Sequence, residues 1–170
     1  MPQRKGDPVM FTRDEGIRPQ STAESLAKLP VLMNDGVVAA GNAAQQNDAA
    51  AGCLIVAEDQ LHQLDLKPMA FLVGWPAVGG DPSRMGIGPV PAPAKVLAKT
   101  GLALDAIGLV EINEAFAAQV LAVLKGLDWH DQARLNGSGV SLGHPIGATG
   151  VRIMTTLLHE MERQQVRSGL

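Results

Sequence analysis

The chain has 170 residues, of which 46% are hydrophobic, 18% charged and 3% aromatic, with a formal net charge of -3. That length supports one domain with a real core, and the balance is ordinary for a soluble globular protein rather than a disordered or membrane-spanning one. The charge leaves no basic face for nucleic acid, and the few aromatic residues leave little to stack on bases.

Residues 1–20 are polar around Gly6, Pro8 and Gly16 and read as an irregular or edge segment. Ser21 with Glu24 reads as a capping box for a short helix through Leu29, stopped by Pro30. Strands are expected at Val37–Ala40 and Ala51–Ala57, separated by a loop of small and amide side chains over 41–48. Glu58–Leu66 reads as a short helix and Met69–Trp75 as strand. A glycine and proline cluster over 79–93 leads into a helix ending near Gly101. Ile107–Ile112 is expected as strand, Asn113–Lys125 as helix, Ala133–Leu135 as a short strand and Gly147 to about Arg167 as the last helix. There Val151, Met154, Leu158 and Met161 recur at helical spacing, which core packing explains. Strand and helix alternate over most of the chain, so the expected class is α/β with a layered sheet.

The longest unbroken apolar run, Ala49–Ala57, falls far short of the ~20 residues that cross a bilayer. No signal peptide is visible, and the single cysteine, Cys53, excludes an internal disulfide. His62, His130, His144 and His159 show no metal-ligand spacing. A reducing, cytoplasmic setting, metal-free chemistry and no membrane partner are the expectations.

Two stretches are candidates for chemistry. The loop Asn136–Gly150 carries glycines at 137, 139, 143, 147 and 150 and a histidine at 144, immediately before Pro145. Glycine permits close approach of backbone and ligand, and proline biases the residue before it away from the α region, so the imidazole sits on an irregular loop ahead of a helix. His144 is thus either a catalytic base or the decoration of a tight turn. Asn113-Glu114-Ala115-Phe116 follows the apolar run Leu109–Ile112, at the end of a strand where α/β folds favour ligands. Asn113 suits a helix N-cap or a donor to an oxyanion; Glu114 suits a base or an acid that complements a helix dipole.

Two pattern matches fail on context. Gly139-Val140-Ser141-Leu142-Gly143 fits a nucleophile elbow, but the last aspartate is Asp131, so an acid followed by a histidine is missing downstream. Gly137-Ser138-Gly139 begins a dinucleotide fingerprint, yet its third glycine is misplaced.

The loop Asn136–Gly150 resembles the glycine-rich histidine loop of the thiolases, the acetyl-CoA acetyltransferases and 3-ketoacyl-CoA thiolases. Asn113-Glu114-Ala115-Phe116-Ala117 is similar to that family's asparagine motif, and Met85-Gly86-Ile87-Gly88-Pro89 and Gly41-Asn42-Ala43 are similar to two more of its signatures, in the same order. The resemblance runs from Pro2 to the last residue.

It implies reversible Claisen condensation of acyl-CoA thioesters, or thiolysis of a 3-ketoacyl-CoA, with coenzyme A as substrate and no tightly bound cofactor. By resemblance, His144 takes the proton of a nucleophilic cysteine, and His144 with a water held by Asn113 surrounds the thioester oxygen. A thiol of pKa about 8.5 needs such a base, and imidazole, about 6.5, suits the task. Leu32, Gly41, Ala44, Gln45, Met85, Ala115, Phe116 and Gly143 would line the acyl-CoA site. The family commonly has serine where Ala44 stands and often phenylalanine where Leu32 stands. Its nucleophilic cysteine belongs before Met1 and its second cysteine beyond Leu170, and Cys53, in an apolar run aligned with a buried strand, is expected to be an inert core residue.

The family's plan is two halves stacked as αβαβα layers. On it, residues 1–45 are the tail of a loop domain, 46–66 the last strand and helix of the first half, and 67–170 the second half without its closing strands. Uncovered edges and apolar faces then imply a homo-oligomer or docking with a complementary half. With both family cysteines outside residues 1–170, the chain alone is expected to be inactive, and the alternative is a non-catalytic thiolase-like fragment that binds CoA thioesters weakly or only associates with other chains.

Overall fold

A computed structural model describes residues 1–129 and 136–170. The expected strand Ala133–Leu135 lies outside the described residues. Among the described residues five α-helices are formed: α1 (Ala23–Ala27), α2 (Pro91–Thr100), α3 (Ala117–Leu127), α4 (Gly139–Leu142) and α5 (Ile146–Gln164). Short 3₁₀ turns occur at Glu58–Gln60, Pro82–Ile87 and Leu104–Ala106.

Helix ends follow local chemistry. The capping box of α1 is Thr22 with Ser25, one residue on from the expected Ser21 and Glu24: Ser25 N donates to Thr22 Oγ1 at 3.1 Å and Thr22 N to Ser25 Oγ at 2.9 Å. Helix α2 opens on Pro91 and ends at Gly101, whose φ of 70° is the left-handed geometry that glycine adopts without a Cβ penalty. The segment expected as a helix over Glu58–Leu66 is a single 3₁₀ turn followed by turns.

The core forms where the chain brings α2, α3 and the C-terminus against residues 107–112. Ile107, Val110, Ile112, Val120, Val123 and Trp129 are buried together, with Val90, Leu97, Leu104, Leu124, Leu127 and Leu170 packed around them. Gly108 N donates to Ser168 O, Glu111 N to Leu170 O and Leu170 N to Leu109 O, so the C-terminus runs parallel to this buried segment through the bridge Leu109–Gly169.

The expected strands do not become a sheet among the described residues, where pairing is limited to single bridges: Val31–Ala39, Ala43–Phe116 and Leu109–Gly169. Val37–Ala40 is one arm of a small hairpin, and 107–112 is extended and buried as expected. Ala51–Ala57 and Met69–Trp75 pair with nothing described, and Leu54, Ile55, Phe71, Leu72 and Val73 are exposed. A fully buried strand needs ladder neighbours on both edges and cover on both faces; within the described residues neither segment has a ladder neighbour, and the second is covered only where Gly74 and Trp75 approach Val96, Lys99 and Thr100 of α2. Cys53 is exposed with them, which corrects the expectation of a buried thiol.

Helix α5 departs from expectation too. Its apolar stripe is only half covered, with Met154 40% exposed, whereas Met161 and its neighbour Leu157 lie against Gly169. Its last turn holds Glu160, which accepts from Arg163 Nε at 2.7 Å, from Arg163 Nη2 and from Gln164 Nε2. These hydrogen bonds, Arg163 foremost, with the Arg163 charge, outweigh desolvation and lower the carboxyl from 4.5 to about 2. Because the folded value lies below the unfolded one, this carboxylate's contribution to stability is complete above about pH 4.5 and is lost as pH falls toward 2. A carboxyl ¹³C titration should place the Glu160 midpoint near 2, and Arg163→Met should return it toward 4.5.

Candidate active site

Three segments converge. Residues 42–44 run antiparallel to 115–117: Ala44 N donates to Ala115 O and Ala117 N to Asn42 O, both at 2.9 Å, around the bridge Ala43–Phe116. The next residue, Gln45, accepts from His144 N at 2.7 Å. The loop 42–45 therefore ties the asparagine motif to the histidine loop.

Asn42 makes that loop rigid. Its Oδ1 accepts from Ala39 N and its Nδ2 donates to Val37 O, each at 2.8 Å. Gly41 packs so closely on Leu26 and Leu29 of the α1 segment that a Cβ there would meet Leu26 Cδ2 at 2.5 Å. Gly139 has the same role at the opposite wall, where a Cβ would lie 2.5 Å from Glu114 O. At Gly143 the φ of 104° and the closeness of the Asn47 side chain both demand glycine.

At the centre, Asn113 Nδ2 lies 3.2 Å from His144 Nε2. The second ring nitrogen, Nδ1, lies 2.8 Å from Thr149 Oγ1, and Thr149 Oγ1 donates to Pro145 O at 3.0 Å. A hydroxyl has one proton; since it goes to the carbonyl, Thr149 accepts from His144, and Nδ1 carries the ring proton. The lone pair of the neutral ring is then on Nε2, where it accepts from Asn113. The ring is half-buried at an open depression of about 370 Å³ lined by Gln46, Asn47, Asp48, His144 and Ile146.

Asn113 is not a helix N-cap. Helix α3 starts at Ala117 with Phe116 in the N-cap position, so Asn113 sits in the extended approach to the helix, and its carboxamide is free of capping work. Its Oδ1 accepts from Ser138 Oγ at 3.1 Å. Glu114 is half-buried rather than a solvated first-turn acid: its Oε2 accepts from Ser138 N at 2.8 Å and from Ser141 Oγ at 3.5 Å. That contact pins the histidine loop and leaves Glu114 engaged as an acceptor.

Of the residues expected to line a site, Ala44, Gln45, Ala115 and Gly143 meet at this junction, and Phe116 borders it, 39% exposed. Gly41 is one step away on the rigid turn. Leu32 and Met85 are held elsewhere: Leu32 N donates to Val38 O in the hairpin, and Met85 lies on the turn 82–87, which Gln119 Nε2 joins to α3 through Gly86 O. Both side chains are open to solvent, 69% and 79% exposed. Thr149 and Ser138 escaped the reading of the sequence. The available signal was position: hydroxyls in the first turn of a helix, or between glycines, beside a loop histidine.

Residues 66–170 match the family model of the thiolase C-terminal domain, and residues 1–59 match that of the thiolase N-terminal domain. The chain belongs to the thiolase family. Among its relatives are acetyl-CoA acetyltransferases of Chromobacterium violaceum and Pseudomonas aeruginosa, 49% identical over 172 residues and 48% over 173, each alignment covering the whole chain and 44% of the relative. The fold is an incomplete form of the α/β thiolase fold: the crystal structure of Bacillus anthracis acetyl-CoA acetyltransferase superposes with a TM-score of 0.84 at 44% identity, covering 98% of this chain and 43% of that one. Human mitochondrial 3-ketoacyl-CoA thiolase in complex with CoA gives 0.80 at 44% identity, covering 92% and 40%. The chain thus spans less than half the length of these thiolases.

Gly139→Ala should push Glu114 and the loop apart and lower stability by about 1–3 kcal/mol, the usual cost of overpacking. Gly147→Ala, where a Cβ meets open space, should be close to neutral. Chemical denaturation of the two variants checks the difference.

Proposed function

We propose that the chain supplies the base and an oxyanion donor of a thiolase-type acyltransferase acting on acyl-CoA thioesters, in reversible Claisen condensation or thiolysis of a 3-ketoacyl-CoA. The observation that carries this is the pair Asn113–His144, with the Nε2 lone pair facing a carboxamide N–H and Nδ1–H spent on Thr149. Relatives named acetyl-CoA acetyltransferase and a CoA complex of a similar structure support the substrate class.

In this reading His144 Nε2 removes the proton of a cysteine thiol. The thiolate attacks the thioester carbonyl, negative charge moves to the carbonyl oxygen, and collapse of the adduct expels the CoA sulfur, which recovers the proton from His144. Asn113 stabilises the oxyanion; removal of one such donor costs about 10²–10³ in rate. Cys53 is not that nucleophile: it lies on the exposed apolar segment, with no hydrogen bond to the loop that holds His144. The sulfur comes from polypeptide outside residues 1–170. In this reading Ala44, Gln45, Ala115, Phe116 and Gly143 line the CoA side next to the pair, and Gly41, Leu32 and Met85 are reached farther along the CoA molecule.

The domain plan belongs to the same proposal: 1–45 as the tail of a loop domain, 46–66 closing the first half, 67–170 as the second half. The two family matches, ending at 59 and resuming at 66, support a division there. A cytoplasmic role in fatty acid metabolism is part of the same proposal; no helix among the described residues is long and apolar enough to cross a membrane. A second reading, a non-catalytic thiolase-like unit that associates with itself or with a complementary half, is favoured by the exposed side chains of 54–55 and 71–73.

A small-molecule thiol separates the two readings by standing in for the cysteine. Acetyl transfer from acetyl-CoA to N-acetylcysteamine, followed by release of CoA, should run faster with the chain than in buffer. His144→Ala should reduce it to background, Asn113→Ala should lower it on the order of 10²-fold, and Cys53→Ala should leave it unchanged. No rate above buffer, or a rate indifferent to His144→Ala, would favour the non-catalytic unit.

A further inference from the structure

Behind the Asn113–His144 pair lies a cation that the proposed reaction does not use. Arg152, in the second turn of α5, donates from Nη2 to Ser138 Oγ. Its Nε and Nη1 are shielded from solvent and have no hydrogen-bond partner among the described residues. Ser138 itself is 1% exposed. A guanidinium has donors only, so one lone pair of the Ser138 hydroxyl is taken by Arg152 and its single proton is left for an acceptor. Asn113 Oδ1, 3.1 Å away, is that acceptor.

The direction of this contact decides which way the carboxamide faces. With Oδ1 engaged by Ser138, Nδ2 is presented to His144 Nε2 at 3.2 Å. An inverted carboxamide would place Oδ1 against Nε2, a contact that holds only if Nε2 carries a proton; since Nδ1 already carries one, the ring would then be charged and no longer a base.

We infer that Arg152, acting through Ser138, is a positioning residue that locks the Asn113 carboxamide with its N–H groups toward His144. The inference rests on the reading of His144 as the base, and it gives a half-buried cation outside the reacting atoms a defined task. Arg152 donates to Ser138, Ser138 donates to Asn113, and Asn113 donates to the histidine.

The test uses the intact ¹⁵N-labelled chain, with nuclear Overhauser contacts between the Asn113 carboxamide protons and the His144 ring C–H protons, and the rate of carboxamide exchange with water. The wild-type chain and Ser138→Thr should show the contacts. Ser138→Ala and Arg152→Met should lose them and exchange about tenfold faster, as loss of one ordered hydrogen bond implies. Contacts and exchange unchanged in Ser138→Ala, or lost equally in Ser138→Thr, would overturn the inference. Should Arg152→Met fail to fold by circular dichroism, the two Ser138 variants decide. None of these signals depends on turnover, so absence of acyl transfer would leave the positioning role standing, and its failure would leave the transfer reaction to its own assay.

Discussion

One hydroxyl proton constrains this site more than any other atom. Because Thr149 gives its proton to Pro145 O in its own helical turn, it can only accept from the imidazole, and the ring must place its proton on Nδ1. The opposite nitrogen is then a lone pair by necessity. A ring that samples both tautomers offers no fixed lone pair, and here the first turn of a 19-residue helix settles the choice. The His144 backbone is held separately, by its N–H to Gln45 O, so ring and main chain are each anchored.

Rigidity around the ring comes from close approach rather than from a large core. The buried cluster around Val123 and Trp129 lies beneath α3, and residues 107–112 carry the chain out of it to Asn113 at the edge of the packed region. There the walls are backbone against backbone: Gly139 on Glu114 O, Ala44 on Ala115 O, Gln45 on His144 N. Carbonyls and amides fixed in this way hold the side chains with little apolar burial. By contrast, the apolar side chains of Leu54, Ile55, Phe71, Leu72 and Val73 are exposed.

What the sequence discloses follows the range of the interaction. Helix boundaries set by nearby residues are legible: Gly101 ends α2, and α5 follows Pro145. The capping of α1 is displaced by one residue because Ser21 and Thr22 are equivalent candidates on paper. Asn113 suits a cap by its place after an apolar run, yet the chain stays extended through Phe116, held by pairing with residues 42–44 that local propensity does not encode. The strands at 51–57 and 69–75 have the right composition, but a ladder depends on distant partners, and composition cannot supply them. His144 and Asn113 were legible as types in glycine-rich or strand-end settings. Ser138, Thr149 and Arg152, which decide how those two groups are oriented, are not, since their meaning lies in hydrogen-bond direction, across 14 and 25 positions for Arg152 and Ser138 and over only 4 to 5 for Thr149.

The central claim is that neutral His144 has its proton on Nδ1 and its lone pair on Nε2. A long-range ¹H–¹⁵N correlation spectrum of the histidine rings, recorded where the ring is neutral, addresses it directly. The structure predicts a protonated Nδ1 and an unprotonated Nε2 for His144 in the wild-type chain, with the pattern giving way to mixed tautomers in Thr149→Val. A His144 ring protonated mainly on Nε2 in the wild-type chain would contradict it.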